Sequence, residues 1–355
     1  MKIILRIAAA LAIILTLLPF IAIDYWWIRI FDFPHFQLTI FTAVVGVSYL
    51  LLLLLRKAKK IDYVILALLV SCFIYQGAKI YPYTPFASHE VLDAQDIDSS
   101  KTLSLLTSNV LQENQSTELL LNEIHRYNPD VLLLTETNER WRSEIRDGIK
   151  STYTYSIEYP LDNTYGMLLY STYELVDPSV TFLVDDSIPS MQSLLILGDL
   201  DTIQLYAIHP TPPAPQHNPS STDRDAEMMK VALASMRNSR PVIVMGDFND
   251  VAWSQSTRLF QAISGLLDIR KGRGFYNTYN ADNFILRWPL DHIFVSRHFR
   301  AIRAERCADI DSDHFPLYVN LSLDKEGSTE QPKITPSEEQ LEHAYEQIKS
   351  EKRQD

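Results

Sequence analysis

PVIVMGDFND, residues 241–250, sets four apolar side chains directly ahead of Gly246, Asp247, Phe248, Asn249 and Asp250. The run Val242 to Met245 does not alternate, which suits a strand covered on both faces, and Gly246 lets the backbone turn where the polar side chains emerge. A buried strand then delivers carboxylate and amide groups to its own C-terminal end. Taken alone, a Gly-Asp pair after an apolar run is equally an ordinary turn that ends a strand. Its recurrence along the chain separates the two readings.

Asn109 closes the apolar run of 103–110, Glu136 closes Leu132-Leu133-Leu134-Thr135, and His209 closes Tyr206-Ala207-Ile208. Asp291 and His292 sit in Pro289-Leu290-Asp291-His292-Ile293-Phe294, and Ser312-Asp313-His314-Phe315-Pro316 precedes the last apolar run. Six strand ends thus carry carboxylates, carboxamides or imidazoles. Between them, strand-like stretches at 103–110, 131–135, 153–158, 166–170, 180–184, 193–197, 203–209, 290–295, 301–307 and 317–323 are interspersed with helix-like stretches at 116–127, 138–149, 223–236 and 254–263. Residues 198–201 read as a hairpin turn. This mixture over 101–323 predicts an α/β domain of two packed sheets with helices outside.

The front of the chain poses a different physical problem. Apolar stretches at 3–23, 36–55 and 61–80 each have about the 20 residues a helix needs to cross a bilayer. The run 44–55, with five consecutive leucines from Leu51, has no polar face. The first stretch also fits a cleaved signal, but two further spans behind it favour an anchor. Lys2 and Arg6 precede the first span, and Arg56, Lys57, Lys59 and Lys60 join the second to the third, which places both on the cytoplasmic side. Trp26, Trp27, Phe31 and Phe33 read as an interfacial belt on the opposite side. Everything after residue 80 is then extracytoplasmic, facing the periplasm of a bacterial inner membrane. Four segments are expected: a multi-pass membrane region (1–80), a polar linker (81–100), the α/β domain (101–323) and a charged tail (324–355) that is solvated and partly disordered, in which 337–352 also fits a helix with Leu341, Tyr345 and Ile348 as a thin apolar stripe.

GDFN and SDHFP, supported by the SNV and LLLTE segments in the same order, resemble the endonuclease/exonuclease/phosphatase superfamily. That superfamily includes pancreatic-type deoxyribonucleases, apurinic-site endonucleases, neutral sphingomyelinases and inositol polyphosphate phosphatases. The membrane front, HPTPP and GRGF...RWPLDHIFVS look most like a bacterial membrane-anchored branch. The resemblance implies a four-layer α/β/β/α sandwich and divalent-metal-dependent hydrolysis of phosphate esters, with Mg²⁺ or Mn²⁺ as cofactor. Such a reaction needs a hydroxide, a counter-charge for phosphoryl oxygens and help for the leaving alkoxide. On this likeness Glu136 is the main metal ligand, Asn109 helps hold metal or phosphate, and Asp313 lies near a second metal position. Asp247 orients and deprotonates the water, and Asn249 donates to a phosphoryl oxygen. His314 stabilises the phosphate charge while Asp291 accepts its other ring proton, and His209 matches a phosphate-facing histidine that can serve as general acid. Asn109, Asp291 and Asp313 also fit plain turn or pairing roles. His292 belongs to the opposite face of its strand, His217 to an exposed loop, and Trp253, Arg270, Arg273 and Arg287 lie near the motifs, where loop arginines are more often solvated.

Composition narrows the substrate. After His89 the chain carries 24 Lys/Arg against 41 Asp/Glu, a net charge of −17, with no basic run to follow a nucleic-acid backbone. Cys72 and Cys307 are too few for a disulfide framework or a Cys-X-X-Cys metal site. Thr278-Tyr279-Asn280 stands where close relatives carry Thr-Trp-Pro, and no lesion-binding insertion is present, which bears on substrate choice. A nuclease-type phosphodiesterase acting on nucleic acid leads, a lipid head-group phosphodiesterase or phosphatase at the bilayer follows, and a catalytically silent membrane module comes last.

Overall fold

The computed structural model describes residues 2–21, 24–55, 59–198, 201–215 and 218–351. Arg56 and Lys57, two of the orientation charges, Asp199 and Leu200, the middle of the 198–201 turn, and His217 therefore lie outside the described residues.

The membrane-like front forms α1 (Lys2–Leu17), a short α2 (Trp26–Arg29), α3 (His35–Leu55) and α4 (Lys60–Ile80). Segments Lys2–Phe20, His35–Leu55 and Lys60–Tyr83 are long and apolar enough to cross a membrane. They meet through Ala9, Ala12, Val45, Tyr49 and Leu69, while Ile3, Leu54 and Leu55 point outward. Asp62, buried in this bundle, takes Lys2 and Arg6 at 2.6 Å each.

The remaining elements are β1 (Thr102–Asn109), α5 (Thr117–Tyr127), β2 (Val131–Thr135), α6 (Glu139–Ile149), β3 (Tyr155–Tyr159), β4 (Met167–Ser171), β5 (Leu175–Thr181), β6 (Ser190–Leu197), β7 (Asp201–Ile208), α7 (Thr222–Arg237), β8 (Val242–Asp247), α8 (Gln255–Ser264), β9 (Leu267–Asp268), β10 (Asp291–Val295), β11 (Phe299–Arg306), β12 (Leu317–Leu323) and α9 (Glu338–Glu351). They build two six-stranded sheets, ordered β11-β12-β1-β2-β4-β3 and β5-β6-β7-β8-β10-β9. The unbroken apolar runs follow from this layering. Ile243 and Met245 enter the core between the sheets, whereas Val242 and Val244 face the layer of α7 and α8. In β2, Val131 and Leu133 face the inter-sheet core, and Leu132 and Leu134 meet Leu120 of α5 and Trp141 of α6. The result is an α/β/β/α sandwich.

Three features differ from the sequence expectations. The polar segment 81–100 is packed down: the Tyr83 hydroxyl donates to the Ala252 carbonyl at 2.7 Å, and Val91 is fully buried between the sheets. Glu90 accepts from Gln261 Nε2, Asp268 N–H and Lys271 Nζ at 2.6–2.9 Å. The C-terminal region is not a solvated tail: it takes its helical alternative as α9, and Leu341, Ala344 and Ile348 pack into the α7–α8 layer while Tyr345 stays exposed. Lys230 ties its end at Glu351, 2.7 Å away. The fifth strand runs Leu175–Thr181 rather than 180–184, and β9, only two residues long, has no periodicity from which to be read.

Candidate active site

Strand register brings the polar groups to one edge. Asn109 lies beside Thr135 in the parallel β1–β2 pair, Ile208 beside Gly246 in β7–β8, and Asp291 opposite Asp247 in β8–β10. Gly246 sits at φ 141°, and a Cβ there would collide with the Ile208 carbonyl oxygen. Glycine is what permits β8 to close on β7 at this point. One residue past β2, Glu136 takes φ 60°, and Asn249 takes φ 51°. A non-glycine residue in that left-handed region costs about 1–3 kcal/mol, a strain that clusters at functional sites.

Asn109 Nδ2 donates to Glu136 Oε1 at 2.7 Å and to Asp247 Oδ2 at 3.1 Å, so one carboxamide spaces two carboxylates. Its Oδ1 accepts the Leu111 N–H. On the other side of Asp247, His314 Nε2 stands 3.7 Å and His209 Nε2 3.8 Å from Oδ2. His314 Nδ1 is 2.8 Å from Asp291 Oδ2, the pairing that fixes which ring nitrogen faces Asp247. Asn249 N–H donates to Asp247 Oδ1, and one N–H of its carboxamide is held by the Pro210 carbonyl, leaving the second for another acceptor. Asp313 is half-buried beside these groups. All eight sequence-selected residues therefore gather at one place.

The electrostatics are those of a site with too many anions. Burial pushes the Glu136 carboxyl up to about 7 against the opposing hydrogen bond from Asn109. It raises Asp247 and Asp313 as well. For His314 burial favours the neutral ring, but Asp291 and Asp247 outweigh it and hold its pKa up to about 10. The ring is an imidazolium at neutral pH.

These donors fit a hard divalent cation. Asp291 Oδ1 and Asp313 Oδ1 are buried without a hydrogen-bond partner, and oxygen-rich carboxylate sets suit Mg²⁺ or Mn²⁺. Asp247, Asp291 and His314 offer ligand atoms within 4.8 Å of one another. This trio is not the expected set of Glu136, Asn109 and Asp313. The Asp291–His314 hydrogen bond accounts for part of their closeness, and Glu136 faces Asp247 through the Asn109 carboxamide.

Other residues near the motifs have structural work. Arg270 is fully buried rather than solvated, pairing with Asp268 at 2.9 Å and contacting His292 Nδ1. His292 Nε2 meets the Asp250 carbonyl, away from the site. Arg273 bonds the Val91 carbonyl and Asp93, and Trp253 Nε1 donates to the Asp32 carbonyl at 2.7 Å. Arg287 holds the Asn280 and Ala281 carbonyls.

The sequence reading passed over several residues of the site. The Tyr279 ring lies 5.0 Å from that of His314, and Tyr165 lies 5.4 Å from His209. Ser312 Oγ donates to the Asn109 carbonyl, tying the SDHFP turn to β1. Arg224 Nη1 donates to the Asn249 carbonyl from α7. Tyr279, within the departing Thr-Tyr-Asn, and Ser312, within SDHFP, lay in motifs that were read; Tyr165 and Arg224 are single residues far from their partners in sequence.

Residues 106–314 match the model of the endonuclease/exonuclease/phosphatase family. No curated protein sequence matches the chain. Among solved structures, humanized D. rerio TDP2 aligns with a TM-score of 0.52 and 15% identity, over 63% of this chain and 100% of that one. D. rerio TDP2 complexed with a single-strand DNA product gives 0.51 and 16%, over 63% and 100%. The human Nocturnin catalytic domain with bound sulfate gives 0.51 and 17%, over 64% and 96%. At these identities the likeness shows the sandwich fold.

Proposed function

The chain belongs to the endonuclease/exonuclease/phosphatase family, metal-dependent hydrolases of phosphate esters, and from that premise we propose a membrane-anchored phosphodiesterase whose site faces the outer side of a bacterial inner membrane. The observation that carries the reading is Asp247 set between the Asn109–Glu136 pair and the His314–Asp291 pair. Glu136 would hold Mg²⁺ or Mn²⁺, with Asn109 beside it and Asp313 near a second position. When bound, the cation lowers the pKa of water and neutralises phosphoryl charge.

Asp247 takes the proton of the attacking water, for which its burial-raised pKa suits it. As the water oxygen bonds to phosphorus, the ester P–O bond breaks, and the products are a phosphate monoester and an alcohol. His314, kept cationic, faces the developing charge on the phosphoryl oxygens; the free N–H of Asn249 adds a second donor. His209 supplies the leaving oxygen with its proton. The single-stranded DNA held by D. rerio TDP2 supports nucleic acid as substrate, and the acidic soluble part supports a lipid head group.

The test uses the full-length protein in nanodiscs with bis(p-nitrophenyl) phosphate and Mg²⁺ or Mn²⁺. Turnover that stops on chelation and is absent from Glu136→Ala and His314→Ala is the expected result. Turnover retained in both variants would remove the proposal.

A further inference from the structure

Residues 279–288 form a loop with its base at the candidate site and its tip at the membrane-like helices. At the base Tyr279 and Trp288 exchange backbone hydrogen bonds, and Ala281 N–H donates to the Asp313 carbonyl at 2.7 Å. At the tip stand three consecutive apolar side chains, Phe284, Ile285 and Leu286, exposed by 88%, 70% and 44%. The tip is a formed turn, because Asn283 Oδ1 accepts both the Ile285 and the Leu286 N–H at 2.9 Å. Such a turn needs a reason to present apolar groups outward.

Its neighbour supplies the reason. Gln37 Nε2, in the first turn of α3, donates to the Ile285 carbonyl at 2.7 Å. The tip thus lies level with the start of a segment that can cross a bilayer, rather than above it. Phe36 against Phe275, at 5.1 Å, and Phe33 against Trp288, at 5.6 Å, hold the same side of the domain to that helix. A membrane around α3 puts Phe284 and Ile285 among lipids.

We propose, on the reading that this site hydrolyses phosphate esters, that residues 282–287 enter the lipid surface and that the substrate is a phosphodiester carried by a membrane lipid. The four steps of chain from Ala281 to Ile285 reach at most about 14 Å, and the polar head-group layer is roughly 5–8 Å thick on each side. A head-group phosphate is therefore within reach of the strand ends without leaving the bilayer. Arg287, at the base of the loop, lies 4.8 Å from the Phe315 ring, and Arg306 lies 4.2 Å from it. Two cations beside the residue after His314 suit the phosphate layer, where arginine keeps its stem in apolar surroundings and its head in water. A long polyanion finds no comparable track on a soluble part of net charge −17.

The experiment uses the full-length protein in nanodiscs and in phosphatidylcholine–phosphatidylglycerol vesicles. A nitroxide on Phe284→Cys should collide with oxygen in preference to a water-soluble nickel complex, and one on Ser100→Cys should do the reverse; the native cysteines are both buried. Nickel preference at position 284 overturns the insertion. Phe284→Asp with Ile285→Asp should lower head-group release from the vesicles by roughly tenfold or more, while bis(p-nitrophenyl) phosphate turnover stays unchanged. Equal lipid turnover in the variant overturns the role of the loop. Cleavage of the soluble ester or of single-stranded oligonucleotide, with both lipids untouched, overturns the lipid assignment and leaves the phosphodiesterase standing. Failure on every substrate removes the phosphodiesterase and the lipid assignment together, while the nitroxide still decides the insertion.

Discussion

Asp247, the last residue of β8, and Asp250, in the loop after it, are three residues apart and both buried, yet their partners differ. Asp250 has a guanidinium, Arg224 Nη1, at 3.4 Å, and accepts from the Ser254 and Thr257 hydroxyls. Arg224 also pairs with Asp225 at 2.9 Å, and Arg29 pairs with Asp24 at 2.5 Å. This cluster joins residues 24–32 to the loop after β8, where Trp253 Nε1 meets the Asp32 carbonyl. Around Asp247, by contrast, Glu136, Asp291 and Asp313 crowd one imidazolium, His314. The chain neutralises its acids where it needs a fixed joint, and leaves them in excess where a cation and a phosphate are to be received.

The sharpest break of this contrast lies at the site. Asp247→Asn or His314→Ala should lower kcat by about 10²–10⁴-fold, without loss of the folded state, because either change leaves strand packing untouched. The check is turnover of bis(p-nitrophenyl) phosphate beside thermal unfolding in detergent. Full activity in Asp247→Asn would mean that the excess of acids serves something other than this reaction.

Arg224→Met should do the opposite, acting on stability first. It strands Asp225 and Asp250 without their cation, a loss of about 3–5 kcal/mol for a broken buried pair. The unfolding midpoint of the full-length protein reads it directly. A midpoint within a degree or so of wild type would show that the joint does not depend on charge matching.

Much of this is legible in the sequence. The runs 131–135 and 242–245 are apolar on both faces because each strand lies between a sheet and a helix layer, so their periodicity carries the layering. GDFN and SDHFP point to the residues at the strand ends through their likeness to the family. The joint was not legible. Arg224 reaches Asn249 and Asp250 from another helix, Trp253 finds a carbonyl 221 residues away, and nothing local distinguishes Arg270, paired with Asp268 and touching His292, from a solvated loop arginine. Nor did composition reveal that the polar segment around Glu90 packs down, since its partners, Gln261 and Lys271, are themselves polar.

Metal separates the two clusters in a third way. Mg²⁺ at 100 times its dissociation constant should stabilise the wild-type protein by about 2.7 kcal/mol, and should stabilise Arg224→Met by the same increment. Glu136→Gln should lose most of that response. Calorimetric unfolding with and without Mg²⁺ decides it, and an undiminished response in Glu136→Gln would move the ion to the Asp247, Asp291 and His314 trio.

The smallest effect tests how complete the matching of the joint is. Burial raises the Asp32 carboxyl from 3.8 to about 6, although Lys79, 3.7 Å away, and Arg29 both act to lower it. A carboxyl whose folded pKa lies above its unfolded value adds stability that is fully present below the unfolded pKa, here 3.8, and is lost as pH rises through the folded pKa, here about 6. Ionised Asp32 is thus a net burden at pH 8, of order 3 kcal/mol, even with its cations in place. Asp32→Asn keeps the shape without the charge. It should raise stability at pH 8 and change little at pH 4, as read from unfolding midpoints in detergent at the two pH values. Equal destabilisation at both would mean that Lys79 and Arg29 fully offset the burial, and would extend the charge-matched joint to Asp32.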